Sequence, residues 1–213
     1  MKRDPEVHQD VRSELEVLDA GHRSVEITAH HGVVYLTGLV ESYAHKWAID
    51  RAVTRIVGVK DLRDHLHVRR PDAAPDDGAI ARAANHGLRW DARVPNGIRA
   101  EVTDGVLCLR GVVERFWQRV AAEEAVRNLR GVRDVVNEIA VLRLAPPPHL
   151  TLLVEATIRR RLGPGSEIIS IAGKQGVVRL SGVVPTLATL GEIELAIWSI
   201  PGITWIDNQL LVE

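Results

Sequence analysis

Nine histidines and one cysteine are the residues of this 213-residue chain that could most readily bind a metal or act as a nucleophile. His30, His65 and His67 fall in alternating segments typical of strands, on the side away from the apolar positions. Three imidazoles on one open sheet face would suit zinc or copper. No carboxylate that would orient them can be assigned, so an ordinary exposed polar face is the alternative interpretation.

Cys108 is the only cysteine, so neither an internal disulfide nor a cysteine-only metal site can form. It lies in the middle of a predicted strand, where a nucleophile would have no strained turn to present it. The chain contains no P-loop, no dinucleotide fingerprint and no HExxH motif. We therefore expect no catalytic residue, no cofactor and no enzymatic activity.

Aromatic side chains are few, but five of the eight are tryptophan. Tyr43 and Trp47 lie in one predicted helix, Phe116 and Trp117 lie near the start of another, and Trp198 ends a third. Rings at a helix start could enter a lipid head-group layer. They could equally pack between neighbouring parts of the chain, because large rings contribute strongly to packing. Both roles stay open at this point.

Arg159, Arg160 and Arg161 close a predicted helix. Cations are stabilised at a helix C-terminus by the helix dipole, which is a structural reason for the cluster. The same charges could contact anionic lipid or an acidic partner. The candidate contact residues for a lipid surface or a protein partner are therefore Trp47, Phe116, Trp117, Arg159, Arg160 and Arg161.

Charge and composition exclude several classes of protein. The chain has 27 basic and 28 acidic side chains, which argues against a nucleic-acid partner because phosphate binding needs a basic surface. No apolar run approaches the ~20 residues of a membrane-spanning helix. The charged N-terminal stretch lacks the apolar centre of a signal peptide. We expect a cytoplasmic protein, with peripheral attachment at the membrane left open.

One glycine-bracketed segment occurs three times, reading GVVYLTG, GVLCLRG and GVVRLSG. The copies begin at residues 32, 105 and 176, so their offsets are 73 and 71 residues. In each copy a further glycine follows twenty positions after the second one. Shared spacing at several positions indicates three repeats. The nine glycines, which we expect to be structural, are Gly32, Gly38, Gly58, Gly105, Gly111, Gly131, Gly176, Gly182 and Gly202.

Within each repeat the hydrophobic period changes in the same order. In the first repeat apolar residues recur at helical spacing over 7–18 and alternate as in a strand over 25–29 and 34–36. A second helical stretch follows at 52–56 and a third strand at 62–68. The predicted fold class is therefore α+β, with three tandem α-β-β-α-β units. Each unit is a three-stranded mixed sheet with two helices on one face.

Proline-rich or turn-rich joints at 70–78 and 145–148 separate the repeats. We place the repeats at 1–70, 76–143 and 149–213. Short joints favour contact between neighbouring repeats. The sequence leaves open whether the repeats form one body or a string, and it leaves the oligomeric state open as well.

A polar residue recurs at an inward position of the third strand. It is Asn137 in the second repeat and Asn208 in the third, where a carboxamide could bond neighbouring backbone groups. Asp64 takes this place in the first repeat, and when ionised it can accept such bonds but cannot donate them.

The order of elements, the G-V-x-x-L-x-G hairpin and the later G-V/I-x-x-x-x-N/D-x-I/L-x-V strand together resemble the BON domain (bacterial OsmY and nodulation). Asp64 and Ile203 depart from the usual asparagine and valine of this pattern. The resemblance implies a non-enzymatic, stress-related binding or adaptor protein that contacts phospholipid head groups or a protein partner. Because some relatives bind potassium, a module that senses a small ligand or cation is the alternative.

Overall fold

The structure, a computed structural model, describes residues 2–18, 25–70, 73–142, 144–163 and 169–213. Within these ranges the chain forms three α-β-β-α-β units in tandem, so the predicted fold class is confirmed. Residues 71–72, which belong to the predicted joint at 70–78, lie outside the described residues.

The first unit contains five elements: α1 (Asp4–Leu18), β1 (Val25–His30), β2 (Val33–Val40), α2 (Tyr43–Val53) and β3 (Asp61–Val68). Its strand order is β1-β2-β3, so β2 is central. β2 runs antiparallel to β1 and parallel to β3, which makes the sheet mixed. The parallel crossover from β2 to β3 passes through α2, as a parallel connection requires.

The second unit repeats this order, but its second and third strands are each divided in two. Its elements are α3 (Asp77–Trp90), β4 (Arg99–Thr103), β5 (Val106–Arg110), β6 (Val112–Val113), α4 (Phe116–Val126), β7 (Asp134–Asn137) and β8 (Ala140–Val141). β5 pairs with β4 and β7, and β6 pairs with β8. Gly111 separates β5 from β6 with a φ of 146°.

The third unit returns to unbroken second and third strands. Its elements are α5 (Leu150–Leu162), β9 (Ser170–Lys174), β10 (Val177–Val184), α6 (Leu187–Trp198) and β11 (Trp205–Val212). The central strand β10 is antiparallel to β9 and parallel to β11. The topology is that of the first unit.

Each unit has its own apolar core between the sheet and its two helices. The buried side chains come from the helical stripes and from alternate residues of the central strand, as the sequence periods predict. In the first unit they include Val7, Val11, Val34, Leu36 and Ile49. In the second they include Ile80, Ala84, Leu107, Leu109 and Ala122. In the third they include Val154, Ile158, Val178, Leu180 and Ile197.

A carboxylate at the start of the first helix holds the hairpin turn in two of the three units. Asp4 accepts hydrogen bonds from the backbone N–H of Gly32, at 3.1 Å, and of the residue before it, at 2.8 Å. Asp77 does the same at Gly105, with distances of 3.0 and 2.7 Å. The two bonds to Asp4 favour its ionised form and lower the pKa of that carboxyl. The third unit has Pro148 at this position and no such carboxylate.

Candidate functional site at the junctions between the repeats

The second helices α2, α4 and α6 meet end to end. Thr54, Arg127 and Trp198 occupy equivalent positions at the ends of these helices, because they differ by the repeat offsets of 73 and 71. Each of them contacts the beginning of another second helix. The end of α4 meets the start of α2, the end of α6 meets the start of α4, and the end of α2 meets the start of α6. The three repeats therefore form a closed ring rather than a string.

The junction between the first and second repeats is built on aromatic rings of α2. The guanidinium of Arg127 lies 3.7 Å from the centroid of the Trp47 ring, and Arg51 lies 4.6 Å from it. Tyr43 packs against the cores of both repeats. Burial raises the pKa of Tyr43 to about 12, and the negative charge of Glu123 in the second repeat contributes. The phenol is therefore neutral in this junction at physiological pH.

The other two junctions use different chemistry at the same positions. Between the second and third repeats the rings of Phe116 and Trp198 stack, with centroids 5.8 Å apart and planes inclined by 22°. Between the third and first repeats the backbone N–H of Ala188 donates to the carbonyl of Thr54 at 2.8 Å. This last hydrogen bond closes the ring.

Two of the three aromatic candidates lie at the junctions between repeats. Trp47 and Phe116 pack between repeats, which is one of the two roles that their sequence positions allowed. Trp117, next to Phe116, remains 47% exposed. Of the three candidate rings, only Trp117 thus presents a large free surface to a lipid or a protein partner.

Replacing Arg127 by alanine should loosen the junction between the first and second repeats. The substitution removes the cation above Trp47, and we expect a loss of about 1 kcal/mol in the free energy of unfolding. Arg51→Ala is the matched control, because Arg51 also lies over Trp47 but belongs to the same helix. Faster hydrogen exchange in α2 and α4 of the Arg127 variant would confirm the contact between repeats. Equal exchange in both variants would contradict it.

The recurrent inward asparagine links the third strand to the second helix. In the second repeat Asn137 donates from Nδ2 to the carbonyl of Arg119 at 3.0 Å and to Glu123 Oε2 at 3.2 Å. In the third repeat Asn208 donates to Glu194 Oε1 at 2.7 Å. Each asparagine also accepts a bond from the backbone two residues later. The predicted backbone bonding is confirmed, and the carboxylate partner on the helix is an addition.

The first repeat has two carboxylates where the others have an amide and a carboxylate. Asp64 replaces the asparagine and Asp50 lies in the position of Glu123. Asp64 accepts from the backbone N–H of Leu66 at 2.7 Å and forms an ion pair with Lys46. Oδ1 of Asp50 is buried and has no hydrogen-bond partner among the described residues. Burial, together with the charge of Asp64, raises the pKa of Asp50 to about 7.

The three candidate metal-binding histidines share the outer sheet face, but the strand order separates them. β2 lies between β1 and β3. His30 pairs with Val33 at one end of β2, whereas His65 and His67 pair with Thr37 and Leu39 towards the other end. The structure therefore brings His65 and His67 near each other and leaves His30 apart. Among the described residues no group of three or more His, Cys, Asp or Glu side chains could hold a metal ion.

The arginine cluster lies on the third repeat's first helix. Arg159, Arg160 and Arg161 occupy the last turn of α5 and are exposed. Two leucines of the first turn are exposed on the same helix, Leu152 by 63% and Leu153 by 39%. α5 thus combines exposed apolar side chains at one end with three cations at the other.

Cys108 lies in the middle of β5, as predicted, and the structure places it on the outer face of that strand. Desolvation and a hydrogen bond with Glu138 raise the pKa of its thiol. A reactive cysteine needs the opposite shift, because the thiolate is the nucleophile. The environment of Cys108 therefore does not activate it.

The repeat architecture defines a class of small α+β modules that occur in tandem. A family model for the BON domain matches residues 3–70, 76–143 and 149–213. The chain therefore belongs to the BON family, and it contains three copies of the domain. The resemblance inferred from the glycine pattern is confirmed.

A curated protein is similar in sequence to about half of this chain. The osmotically-inducible protein Y of Escherichia coli (strain K12) is 30% identical over 121 residues. The match covers 54% of this chain and 60% of that protein, so the chain spans less than two thirds of the relative's length.

Two solved structures align over nearly the whole chain. One is CdsD, a structural protein of the type III secretion system of Chlamydia trachomatis, at 15% identity over 98% of this chain and 92% of that chain, with a TM-score of 0.28. The other is the PrgH periplasmic domain, at 10% identity over 96% and 99%, with a TM-score of 0.24. Superposition at these TM-scores supports no conclusion about function. Separately, the helices among the described residues include none with the length and apolar character needed to span a bilayer.

Proposed function

We propose that this protein is a non-enzymatic, stress-related binding protein that attaches to an anionic phospholipid surface through α5. The surface of α5 carries the proposal: Leu152 and Leu153 are exposed in its first turn, and Arg159, Arg160 and Arg161 are exposed in its last. Apolar side chains can enter the head-group region while cations contact lipid phosphates. The name of the relative, an osmotically-inducible protein, supports a role in the response to osmotic stress.

The charge of α5 distinguishes it from the first helix of the first repeat. α5 contains three arginines and one glutamate, whereas α1 contains one arginine and five carboxylates. The whole chain has a net charge of only −1, so attraction to an anionic surface must come from a local cluster. This contrast favours the third repeat as the attachment point and directs the first repeat away from the lipid.

The ring of second helices supports the same orientation. α2, α4 and α6 contact one another at their ends, so part of the surface at these ends lies between the repeats. The first helices and the outer sheet faces remain as the exposed surfaces of the repeats. In this arrangement the ring serves as a rigid support, and α5 is the element that binds.

Co-sedimentation with vesicles tests the proposal. The full chain is mixed with vesicles of phosphatidylcholine alone or of phosphatidylcholine with phosphatidylglycerol, at low and moderate salt. We expect binding to the anionic vesicles only, weakened by salt because the Debye length shortens to about 10 Å at 0.1 M. Replacing all three arginines of α5 by glutamine should weaken binding about a hundredfold at low salt, since each charge contributes about 1 kcal/mol.

A second triple variant provides the matched control. Arg82, Arg89 and Arg99 are exposed in the second repeat and form no ion pair within the described part of the chain. Their replacement by glutamine removes the same charge from a different surface and should leave binding nearly unchanged. Equal losses in both triple variants would show that net charge alone is responsible. Absence of binding to anionic vesicles would leave a protein partner or a small cation as the ligand class.

A further inference from the structure

A cleft of about 330 Å³ lies between the second and third repeats. One wall is the start of α4 with Arg115 and Arg119, and the opposite wall is the loop from Ser199 to Thr204 that follows α6. β8 and the residues around it form the base. Ligand pockets have volumes of about 300–1,000 Å³ and are frequent at interfaces between domains. The cleft is large enough for a small organic molecule.

Two aromatic side chains, one from each of the two repeats, line the cleft and contact each other. Phe116 of α4 and Trp198 of α6 both line it, and their rings stack at 5.8 Å. Apolar and aromatic linings give a flat ligand its largest contact area. The two side chains form an aromatic surface against which a planar ring can pack.

Two guanidinium groups stand beside the aromatic pair. Arg119 donates to the carbonyl of Asn137 at 2.7 Å and lies 5.9 Å from the Phe116 centroid, so its position is fixed. Neither Arg119 nor Arg115 forms an ion pair with a carboxylate in the described part of the chain. Glu114 is the acidic residue in the lining, which leaves the wall with an excess of one positive charge. Guanidinium groups bind carboxylates in a bidentate geometry.

We propose that this cleft binds a small aromatic carboxylate. The aromatic ring of the ligand packs against Phe116 and Trp198, and its carboxylate accepts hydrogen bonds from Arg115 and Arg119. Because the walls belong to different repeats, the bound ligand contacts both of them and stabilises the junction between them. No residue of α5 lines the cleft, so its lining and the lipid-contact residues proposed above are different sets.

Titration of the full chain with 1-naphthoate tests the proposal. We expect saturable binding with one site per chain, and a shift of the indole N–H signal of Trp198 in NMR spectra. Trp90, which is 78% exposed in the second repeat and is not a lining residue, serves as the internal reference and should not shift. The signal of Trp198 is assigned with the variant Trp198→Phe.

Two variants and one analogue make the result specific. Arg115→Gln should weaken binding about tenfold or more, since charge-assisted hydrogen bonds are among the strong ones. Arg99→Gln, in β4 of the same repeat and outside the lining, should bind as the unmodified chain does. The neutral analogue 1-naphthalenemethanol should bind at least tenfold more weakly. Binding that is absent at millimolar probe, equal in Arg115→Gln, or equal for the neutral analogue would overturn the proposal.

Discussion

Replacing Gly202 by alanine is expected to destabilise the third repeat by about 3 kcal/mol or more. Gly202 has a φ of +85°, which side-chain-bearing residues rarely adopt. A Cβ at this position would lie 2.5 Å from the carbonyl oxygen of Ala145 and would also collide with Pro146. Both neighbours are backbone of the joint between repeats, so they cannot move aside as a flexible side chain could. Guanidinium denaturation followed by tryptophan fluorescence measures the loss.

Alanine substitutions at two other glycines provide a comparison for the cost at Gly202. Gly58 is the equivalent residue of the first repeat, but its nearest neighbours are side-chain atoms of Val7 and Lys2, at 3.0 and 3.1 Å. Gly58→Ala should therefore cost about 1–2 kcal/mol, mostly from its φ of +96°. Gly191 lies within α6 with nothing near its Cβ position, so alanine there should stabilise by up to about 1 kcal/mol. A cost for Gly202→Ala no larger than for Gly58→Ala would mean that the joint does not pack on residue 202.

The glycine spacing was sufficient to predict the three units because turns constrain residue type directly. Gly32, Gly105 and Gly176 each have a φ between 76° and 84°, which the hairpin requires in every repeat. The apolar periods then assign the strands and helices between these fixed points. A positive φ restricts the residue type at that position, so a single sequence is enough to predict these turns.

The ring of second helices could not be predicted in this way. Thr54, Arg127 and Trp198 are equivalent in position but make a backbone hydrogen bond, a cation–π contact and a ring stack. No residue type recurs at this position, so the repeat pattern contains no signal for the contact. The sequence offered only the excess of tryptophan, which allowed packing between repeats without specifying the partners.

The histidines and the carboxylate pair illustrate two further limits. Alternation assigned His30, His65 and His67 to one face, but a face does not determine the strand order that separates them. The departure at Asp64 is visible in a single repeat, whereas the carboxylate that it affects, Asp50, lies on another element fourteen positions earlier. Aligning the repeats would have indicated that partner, because an acidic residue precedes the inward polar residue by fourteen positions in all three.

The free energy of unfolding should fall as pH rises from about 4 to about 7, through the titration of Asp50. The ordinary pKa of this carboxyl is 3.8, and burial and the charge of Asp64 raise it to about 7 in the folded chain. Between these values the folded protein holds a proton that the unfolded chain has released, so protonation favours folding. The stabilisation is complete below the unfolded pKa and is lost as pH passes through the folded one. Partial exposure of Asp50 reduces the effect to about 1–2 kcal/mol.

Asp50→Asn isolates this contribution from the other carboxylates. Asp4, Glu6, Asp91 and Glu138 have lowered pKa values, and they destabilise the fold only when protonated at lower pH. Asparagine cannot ionise, so the difference in stability between this variant and the unmodified chain should grow in favour of the variant between about pH 4 and pH 7. Urea denaturation at several pH values measures this difference. A difference that is constant with pH would contradict a raised pKa at Asp50.

Asp64→Asn should reduce the pH dependence of stability that arises from Asp50, although burial, the larger cause of the raised pKa, remains. It gives the first repeat the amide of Asn137 and Asn208, and this amide can donate to the Asp50 carboxylate as Asn208 donates to Glu194. The negative charge that raises the pKa of Asp50 is removed at the same time. Lys46, the cation paired with Asp64, still donates to the carbonyl of Leu66 at 3.1 Å and can neutralise Asp50. Titration of the Asp50 carboxyl carbon by NMR should therefore give a lower pKa in this variant, and an unchanged value would mean that burial alone sets it.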